Sequence, residues 1–373
     1  MKTLPSEIIC ALALNSLYQV SLTQKRSLIT ELGSFQNIFS TFPEKISQIE
    51  SMTPTVLKAI THFSDFEKSE REFRMLKQLD ISIIPFTHKD YPHNLRNLVD
   101  APQVLYVKGN AELLQMLSLA VVGSRKASFY GLSVTSQLVP ELVKANIAIV
   151  SGGARGIDTE AHKSALKALG KTIVVLGCGL DVCYPTENKK LFDQIEKEGC
   201  IVSEFPLKTP PYKINFPQRN RIISGLSQGT LVVEASLKSG SLITAKMALE
   251  QGKEVFAIPG SILSYHYSGT NKLLQDGACL VQSIHDILWE LGIDNKVQNS
   301  YSQKRFSFLK ELTDEEKKIL STLSEEGHSL NEIEQMTELD IELIHETLTH
   351  MQLEGYVKEL PGKKFVRAEE AGA

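Results

Sequence analysis

Two segments of the chain combine glycines, an arginine and the start of a predicted helix. They read VVGSRKASFYG and IVSGGARGIDTEAH, and each opens with an apolar run. A glycine turn that leads into a helix presents backbone N–H groups and the positive end of the helix dipole to an anion, and a guanidinium fork suits phosphate. Glycines also simply make tight strand-to-helix turns, but two such loops, each with an arginine, favour an anion site. The predicted contacts are Gly123, Ser124, Arg125, Gly152, Gly153 and Arg155.

Other hydroxyl and carboxyl groups near helix starts are secondary candidates. Asp158 follows the second loop, and we expect it to cap the helix that begins there. The segment SLKSGSLITA offers Ser239 and Ser241 at another predicted helix start. Because such hydroxyls more often cap a helix than bind a ligand, these two serines are weaker candidates for the same site.

The segment PPYKINFPQRNRI, residues 210–222, gathers cations and aromatic rings without a single acid. Pro217 is predicted to start a helix, which places two arginines near its positive end. Cations that follow a backbone and rings that stack on bases are the usual means of binding single-stranded nucleic acid. The alternative is that the phenylalanine packs in the core and the arginines pair with acids. The candidate contacts are Lys213, Phe216, Arg219 and Arg221.

No other recognisable chemistry accompanies these loops. The chain lacks the GxGxxG, GxSxG and HExxH patterns at the places where a dinucleotide enzyme or a hydrolase needs them. Glu160, Glu204 and Glu234 are isolated acids, and His162 on a predicted helix is expected to be structural. We therefore predict no enzyme, no catalytic residues, no metal and no cofactor.

The composition describes an ordinary globular protein of 373 residues with a formal net charge of −4, so nucleic-acid binding must rest on a local patch. No apolar run approaches the roughly 20 residues that span a bilayer, and Glu7 argues against a signal peptide. The five cysteines form no CxxC pair, which is typical of reduced thiols. We predict a cytoplasmic protein without membrane association.

The chain divides into three predicted regions. Residues 1–75 read as short helices with Ser and Thr caps. Residues 80–293 alternate helices with short β-branched runs, which predicts a doubly wound, mostly parallel α/β sheet with ligands at the carboxyl ends of its strands. The clearest strands are LAVVG, IAIVSGG, TIVVLGCG, CIVSEF, TLVVEA and EVFAIPG.

A polar linker at residues 294–310 leads to a third region, residues 311–368. This region reads as three helices and a hairpin that turns at Pro361-Gly362, the pattern of a winged helix-turn-helix. The predicted buried stripe of its third helix consists of Ile341, Ile344, Leu348 and Met351.

The chain resembles the DNA-processing protein A (DprA/Smf) family. The resemblance covers residues 91–278 and includes VVGSRKASFYG, SGGARGIDTEAHKSAL, NFPQRNRIISGLS and VVEASLKSGSLITAKMALEQGKEVFAIPG. It implies an extended Rossmann-like domain between a helical N-terminal domain and a C-terminal winged-helix domain. It also implies a non-enzymatic protein of natural transformation that binds and protects single-stranded DNA and helps load a RecA-type recombinase. A homodimer through the Rossmann-like domain is part of the same expectation.

The resemblance assigns DNA contacts to the two glycine loops and to residues 210–222, with Lys189 and Lys190 as weaker candidates. It assigns no residue to the recombinase contact. The N-terminal helices lack the Gly-x-Gly hairpin of a helix-hairpin-helix, so we expect an accessory role for them.

The winged-helix region lacks the positive charge expected of a DNA-binding winged helix. Residues 311–370 contain sixteen acids against six Lys and Arg, a balance that repels phosphate. Glu342 and Glu346 fall where a recognition helix would meet the groove. We expect a protein-contact or dimerisation role. The alternative is a DNA contact through two lysines of the wing, Lys363 and Lys364.

Two alternative functions fit the same predicted fold. One is a nucleoside-monophosphate hydrolase, for which the segment VVEASLKSGSLITA lacks the PGG and the paired Thr-Glu of such enzymes. The other is a sensor that binds a nucleotide in the same loops.

Overall fold

The computed structural model describes residues 5–293, 313–323, 327–337, 339–353, 356–360 and 363–367. The chain forms two compact units, Met1–Asp294 and Asn295–Ala373. The predicted helical region 1–75 and α/β region 80–293 both fall in the first unit. They also share one hydrophobic core, in which Leu28 and Phe35 belong to the same cluster as Val104 and Tyr106. The exact domain boundaries drawn from the sequence remain predictions.

The N-terminal residues form helices, as predicted. Ser21, Ser34 and Thr53 each cap a helix by accepting a hydrogen bond from the backbone N–H three residues on. The helices are α1 (Glu7–Ser16), α2 (Leu22–Leu32), α3 (Phe35–Ser40), α4 (Pro43–Ser47), α5 (Pro54–Thr61) and α6 (Phe66–Gln78).

A nine-stranded sheet forms the centre of the first unit, with the strand order β1-β2-β6-β5-β4-β3-β7-β8-β9. The strands are β1 (Ser82–Pro85), β2 (Val104–Gly109), β3 (Ser118–Val122), β4 (Ala148–Ser151), β5 (Thr172–Val175), β6 (Cys200–Ser203), β7 (Gly229–Val232), β8 (Glu254–Ala257) and β9 (Cys279–Leu280). All neighbours from β6 to β9 pair in parallel, whereas β1–β2 and β2–β6 are antiparallel. The predicted doubly wound, mostly parallel sheet is confirmed, and it extends beyond the prediction by β1, β2 and β9.

Helices connect these strands. They are α7 (His93–Arg96), α8 (Phe129–Lys144), α9 (Ile157–Lys167), α10 (Lys189–Glu198), α11 (Asn215–Leu226), α12 (Ser241–Glu250), α13 (Ser268–Gln275) and α14 (Ile284–Glu290). Short 3₁₀ helices occur at Ala111–Gln115, Thr186–Asn188 and Tyr265–Tyr267. Helix α11 begins at Asn215, two residues before the proline that was predicted to start it.

The order of the strands creates a topological switch point. From β3 the chain proceeds through α8 to β4 on one side, and from β7 it proceeds through α12 to β8 on the other. Since β3 and β7 are neighbours, their carboxyl ends open a crevice between diverging connections, the usual ligand site of such sheets.

The second unit contains α15 (Asp314–Thr322), α16 (Leu330–Thr337), α17 (Ile341–Leu353) and a three-stranded sheet of β10 (His328–Ser329), β11 (Val357–Leu360) and β12 (Lys364–Arg367). Its core includes Ile344, Leu348 and Met351, as predicted. The prediction was wrong for Ile341, which is 38% exposed because it begins its helix and no earlier turn covers it. The predicted linker 294–310 and the turn Pro361-Gly362 lie outside the described residues.

Two general properties follow from the described part of the chain. No helix there combines the length and the apolar character needed to cross a bilayer. The five cysteines are all described and none forms a disulfide; Cys10, Cys178 and Cys200 are buried.

Candidate nucleic-acid interface

A cleft of about 750 Å³ lies at the switch point. The turn after β3 contributes Arg125 to it, and the region of α11 contributes Lys213 and Phe216. The turn after β7 contributes Ser239, and the segment after β8 contributes Tyr265 and His266. The structure therefore brings together residues that are up to 141 positions apart, from Arg125 to His266.

The first loop is shaped by close backbone packing. A Cβ on Gly123 would lie 2.6 Å from the Ile157 side chain, so this position accommodates only glycine. The Ser124 N–H donates to the Glu234 carbonyl oxygen at 2.8 Å, and the Ser124 hydroxyl accepts from Lys126 N at 3.1 Å. The prediction that this turn offers the Ser124 N–H to an anion was wrong, because the neighbouring strand end already binds it. Arg125 remains exposed and lines the cleft.

The second loop already holds an anion of its own. The Asp158 carboxylate accepts from Ala154 N at 3.2 Å and from the Gly152 N–H. Asp158 is buried, and this burial raises the pKa of its carboxyl while the Arg219 guanidinium opposes the rise. It is the second residue of α9, whose N-cap is Gly156, so the predicted capping role was wrong. The backbone N–H groups of Gly152 and Ala154 are therefore already engaged within the protein.

Arg219 is a structural part of the cleft rather than an exposed cation. Only 4% of it is exposed, and its guanidinium donates to the carbonyl oxygens of Gly152, at 2.7 Å, and Val175. Burial lowers its pKa to about 10, with Asp158 acting in the opposite direction. A Cβ on Gly152 would lie 2.7 Å from this guanidinium, which explains the glycine there. Arg219 thus ties α11 to the second loop and forms part of the cleft wall.

Arg221 does not reach the cleft, which corrects its assignment as a DNA contact. It is 4% exposed and forms ion pairs with Glu204 at 2.5 Å and Asp100 at 3.2 Å. Two residues on a helix differ by about 200° in direction, so Arg221 and Arg219 face opposite sides of α11. Burial raises the pKa of Glu204, and the Arg221 charge opposes that rise, so the arginine compensates a buried carboxyl.

Phe216 lines the cleft in a half-buried position, neither in the core nor fully open. Its ring centroid lies 5.5 Å from the ring centroid of Tyr184. A Cβ on Gly177 would lie 3.0 Å from the edge of the Phe216 ring. The Arg125 and Arg219 guanidinium carbons lie 5.4 and 5.9 Å from the ring centroid. A planar cation thus occupies a place beside the ring where a base can stack.

The remaining candidates divide by position. Lys213 is exposed and lines the cleft, and Ser239 and Ser241 line it with their hydroxyls 2.8 Å apart. Arg155 lies in a small adjoining depression and is paired with Glu187 at the surface. Gly153 shapes the second loop with a φ of +65°. Two exposed lysines of α10 are not among the residues that line the cleft, namely Lys189 and Lys190.

Sequence reasoning missed several residues of the cleft. Lys126 is exposed next to Arg125, and Tyr184 packs against Phe216. Tyr265 and His266 come from the segment after β8 and were not among the predicted contacts. Aromatic residues within 182–185 and 265–267 were the available signal, but nothing in the spacing placed either group at the carboxyl ends of the sheet.

Two titratable residues noted in the sequence, Glu234 and His162, are held by hydrogen bonds within the protein. Glu234 is fully buried and accepts hydrogen bonds from Ser128 N at 2.9 Å, Ser128 Oγ at 2.5 Å, Tyr267 OH at 3.2 Å and His266 Nδ1 at 3.1 Å. His162 is buried against Thr172 at 2.7 Å, and burial lowers its pKa to about 3, which supports a structural role. Among the described residues, no group of His, Cys, Asp and Glu could hold a metal ion.

Comparison with known proteins identifies the family. The model of the family described as DNA recombination-mediator protein A matches residues 82–292, more than half of the chain. The chain belongs to this family. A second model, the DprA winged helix domain, matches residues 309–363, so the predicted winged helix is confirmed.

Relatives of this recombination-mediator family include DNA processing protein DprA of Bacillus subtilis, 42% identical over 65% of this chain and 84% of that protein. DprA of Streptococcus pneumoniae is 48% identical over 54% of this chain and 71% of its own length. The X-ray structure of the S. pneumoniae protein matches with a TM-score of 0.67 over 77% of this chain and 98% of its own. A Helicobacter pylori structure, described by its single-stranded DNA binding mode, has a TM-score of 0.52 and 35% identity over 57% of this chain and 95% of its own.

Proposed function

We propose that this chain is a recombination mediator that binds single-stranded DNA in the switch-point cleft. The observation that carries the proposal is a set of three exposed cations, Arg125, Lys126 and Lys213, which line the same cleft as the half-buried ring of Phe216. None of the three takes part in an ion pair with another described residue. Unpaired cations beside an aromatic ring provide backbone and base contacts of the kind that single strands use.

Different residues of the cleft contact the phosphates and a base of the bound strand. Arg125, Lys126 and Lys213 contact phosphates, and Phe216, supported by Tyr184, stacks on a base. Because the Arg125 guanidinium now lies beside the Phe216 ring, an entering base displaces it toward a phosphate. Arg219 and the glycines of the second loop hold the cleft in shape.

The distribution of charge supports the first unit as the DNA-binding part. The whole chain has 40 Lys and Arg and 44 Asp and Glu, and residues 311–370 hold six and sixteen of them. Residues 295–310 hold four more Lys and Arg and no acid, so the first unit contains 30 bases and 28 acids, a net charge of +2, against −10 for the winged-helix region. The winged-helix region therefore repels a polyanion, whereas the first unit does not.

The biological role follows from the family. We propose that the bound strand is protected and passed to a RecA-type recombinase in natural transformation, and that the chain acts as a homodimer through its Rossmann-like domain. The relative from H. pylori, named for its single-stranded DNA binding mode, supports the choice of ligand.

Binding of a fluorescent single-stranded oligonucleotide across a salt series tests the proposal, with the duplex of the same sequence as control. We expect the single strand to bind more tightly than the duplex and the affinity to fall with salt. Equal affinity for both would contradict single-strand selectivity.

The same preparation separates the two alternatives. Displacement of the oligonucleotide by equimolar mononucleotide would instead indicate a nucleotide sensor. Release of free base from a nucleoside monophosphate, abolished by Glu234→Gln, would establish an enzyme and overturn the proposal.

A further inference from the structure

The cleft has a second aromatic end that the contacts described so far leave unused. Phe216 packs beside Gly177, just after β5, whereas the segment of Tyr265 is tied through His266 to Glu234, just after β7. Three strand spacings separate β5 from β7 in the order β5-β4-β3-β7. At about 4.8 Å per spacing, the two anchor points are roughly 14 Å apart along the edge of the sheet. Stacked nucleotides of one strand rise about 3.4 Å each, so the cleft is long enough for several nucleotides.

Tyr265 presents its ring at this end. The residue is 63% exposed and lines the same cleft as Phe216. An exposed ring that borders a polar cleft is a surface on which a base can stack, and stacking of this kind tolerates any base.

The segment that carries Tyr265 is firmly anchored. His266, the next residue, donates from Nδ1 to the buried Glu234 carboxylate at 3.1 Å, and Tyr267 OH reaches the same carboxylate at 3.2 Å. The Ser268 hydroxyl donates to the Tyr265 carbonyl at 2.8 Å. Because its neighbours are fixed in this way, the exposed ring sits on a rigid support and loses little conformational freedom when it binds.

The wall around the start of α12 is polar, and Asp158, the acid that lines the cleft, is 6% exposed with its carboxylate turned to the backbone N–H of Ala154. Ser236, Ser239, Ser241 and Thr244 line it around the start of α12. Glu234 lies beneath this wall and is 0% exposed, with its oxygens occupied by Ser128, His266 and Tyr267. A strand that runs from Phe216 toward Tyr265 therefore passes hydroxyl groups without meeting a charge that repels it.

We propose that Tyr265 forms a second base-stacking subsite for single-stranded DNA, several nucleotides away from the subsite at Phe216. His266, Glu234 and Tyr267 are positioning residues that hold this platform. The inference rests on the proposed function, since it extends the same DNA track along the cleft. It also sets a minimum length for full affinity, because a short oligonucleotide reaches one ring and a longer one reaches both.

The test compares oligothymidylates of two and eight nucleotides on the full chain. Tyr265→Ala is expected to weaken binding of the eight-nucleotide strand by about five-fold or more and to leave the two-nucleotide strand, which prefers the cationic end, unchanged. Tyr265→Phe, which keeps the ring, should bind like the parent protein. Ile262→Ala, which changes a residue of the same loop that is 91% exposed but does not line the cleft, is the matched control.

The outcomes separate the inference from the function on which it rests. If Phe216→Ala weakens both oligonucleotides while Tyr265→Ala changes neither, the DNA site stands and the second subsite is overturned. If neither variant changes either affinity, both are overturned. A loss in Tyr265→Phe equal to that in Tyr265→Ala overturns stacking as the role of this ring.

Discussion

At the scale of single residues, Phe216 allows the contribution of base stacking to DNA affinity to be measured apart from that of charge. Tyr184 and Gly177 support the ring, and the Arg125 and Arg219 guanidinium groups lie beside it. In the proposed complex, the phosphates of a bound strand contact the exposed cations of the cleft instead. Removing the ring therefore removes one kind of contact and leaves every charge in place.

Phe216→Ala should lower affinity for a single strand by about 1–3 kcal/mol without changing the salt dependence of binding. Fluorescence anisotropy across a salt series measures both quantities. Phe129→Ala, which changes an 89% exposed ring that does not line the cleft, is the matched control. A change in the salt slope with no loss at low salt would show that Phe216 acts through the charges instead.

The sequence indicated that residues 210–222 belong to the site but could not rank their arginines. Arg219 finds its carbonyl partners 67 and 44 positions away, and Arg221 finds Glu204 on a different strand end. Each arginine is buried because it binds these distant partners, and the spacing of residues within 210–222 does not predict such contacts. Lys213 has no such partner among the described ion pairs, so it alone of the three remains an open cation.

Arg221→Met should destabilise the fold by about 3–5 kcal/mol, because it leaves the Glu204 carboxylate buried without its cation. Urea unfolding measures the loss, and DNA binding by the folded variant should be unchanged. Arg155→Ala breaks an exposed pair and should cost at most about 1 kcal/mol. Equal losses in the two variants would contradict the buried role of Arg221.

At the scale of elements, the sheet brings the loops together and the helices keep them there. The six parallel strands were predictable because each short β-branched run precedes a helix. Strands β1, β2 and β9 were not predicted. All three lie at the ends of the sheet order, and β1 and β2 pair antiparallel, outside the regular alternation of parallel strands and helices. Likewise, the glycine loops predicted anion contacts, but the Asp158 carboxylate binds within the second loop through contacts that the spacing of the residues does not predict.

Helix α9 is tied to β5 through a buried histidine, which makes the fold sensitive to acid. Burial lowers the pKa of His162 to about 3, from 6.5 in an unfolded chain. Between these values the unfolded chain binds a proton that the folded protein does not, so the free energy of unfolding falls as the pH drops below about 6.5. The contribution is at most about 1.4 kcal/mol per pH unit.

The check is urea unfolding at pH 7 and pH 5.5 for the parent and for His162→Leu, which removes the titrating group and keeps the volume. The parent should lose more stability than the variant over this interval. An identical loss in both would mean that His162 does not contribute to the acid sensitivity.

At the scale of the whole molecule, the two units differ sharply in charge. The winged-helix unit has its own core and presents exposed acids such as Glu342 and Glu346 on α17. Its wing lysines, Lys363 and Lys364, are exposed too, but the unit as a whole repels phosphate. This difference supports the proposal that the first unit binds DNA, and a role in protein contacts remains a prediction for the second.

A chain that ends at residue 293 should bind single-stranded DNA at least as tightly as the full chain, and more tightly at low salt, because 17 acids and only ten Lys and Arg are removed. Anisotropy titrations at two salt concentrations measure this effect. A large loss of affinity at both would show that the winged helix reads DNA after all.

The central claim, a phosphate track along the switch-point cleft, is tested most directly by the salt dependence of two lysine variants. Lys213→Ala removes an exposed cation that lines the cleft, whereas Lys189→Ala removes an exposed cation that does not. For a single strand we expect Lys213→Ala to reduce the slope of log K against log salt by about 0.7 and to weaken binding, and Lys189→Ala to change neither. Equal effects of the two variants, or no effect of Lys213→Ala, would contradict the account.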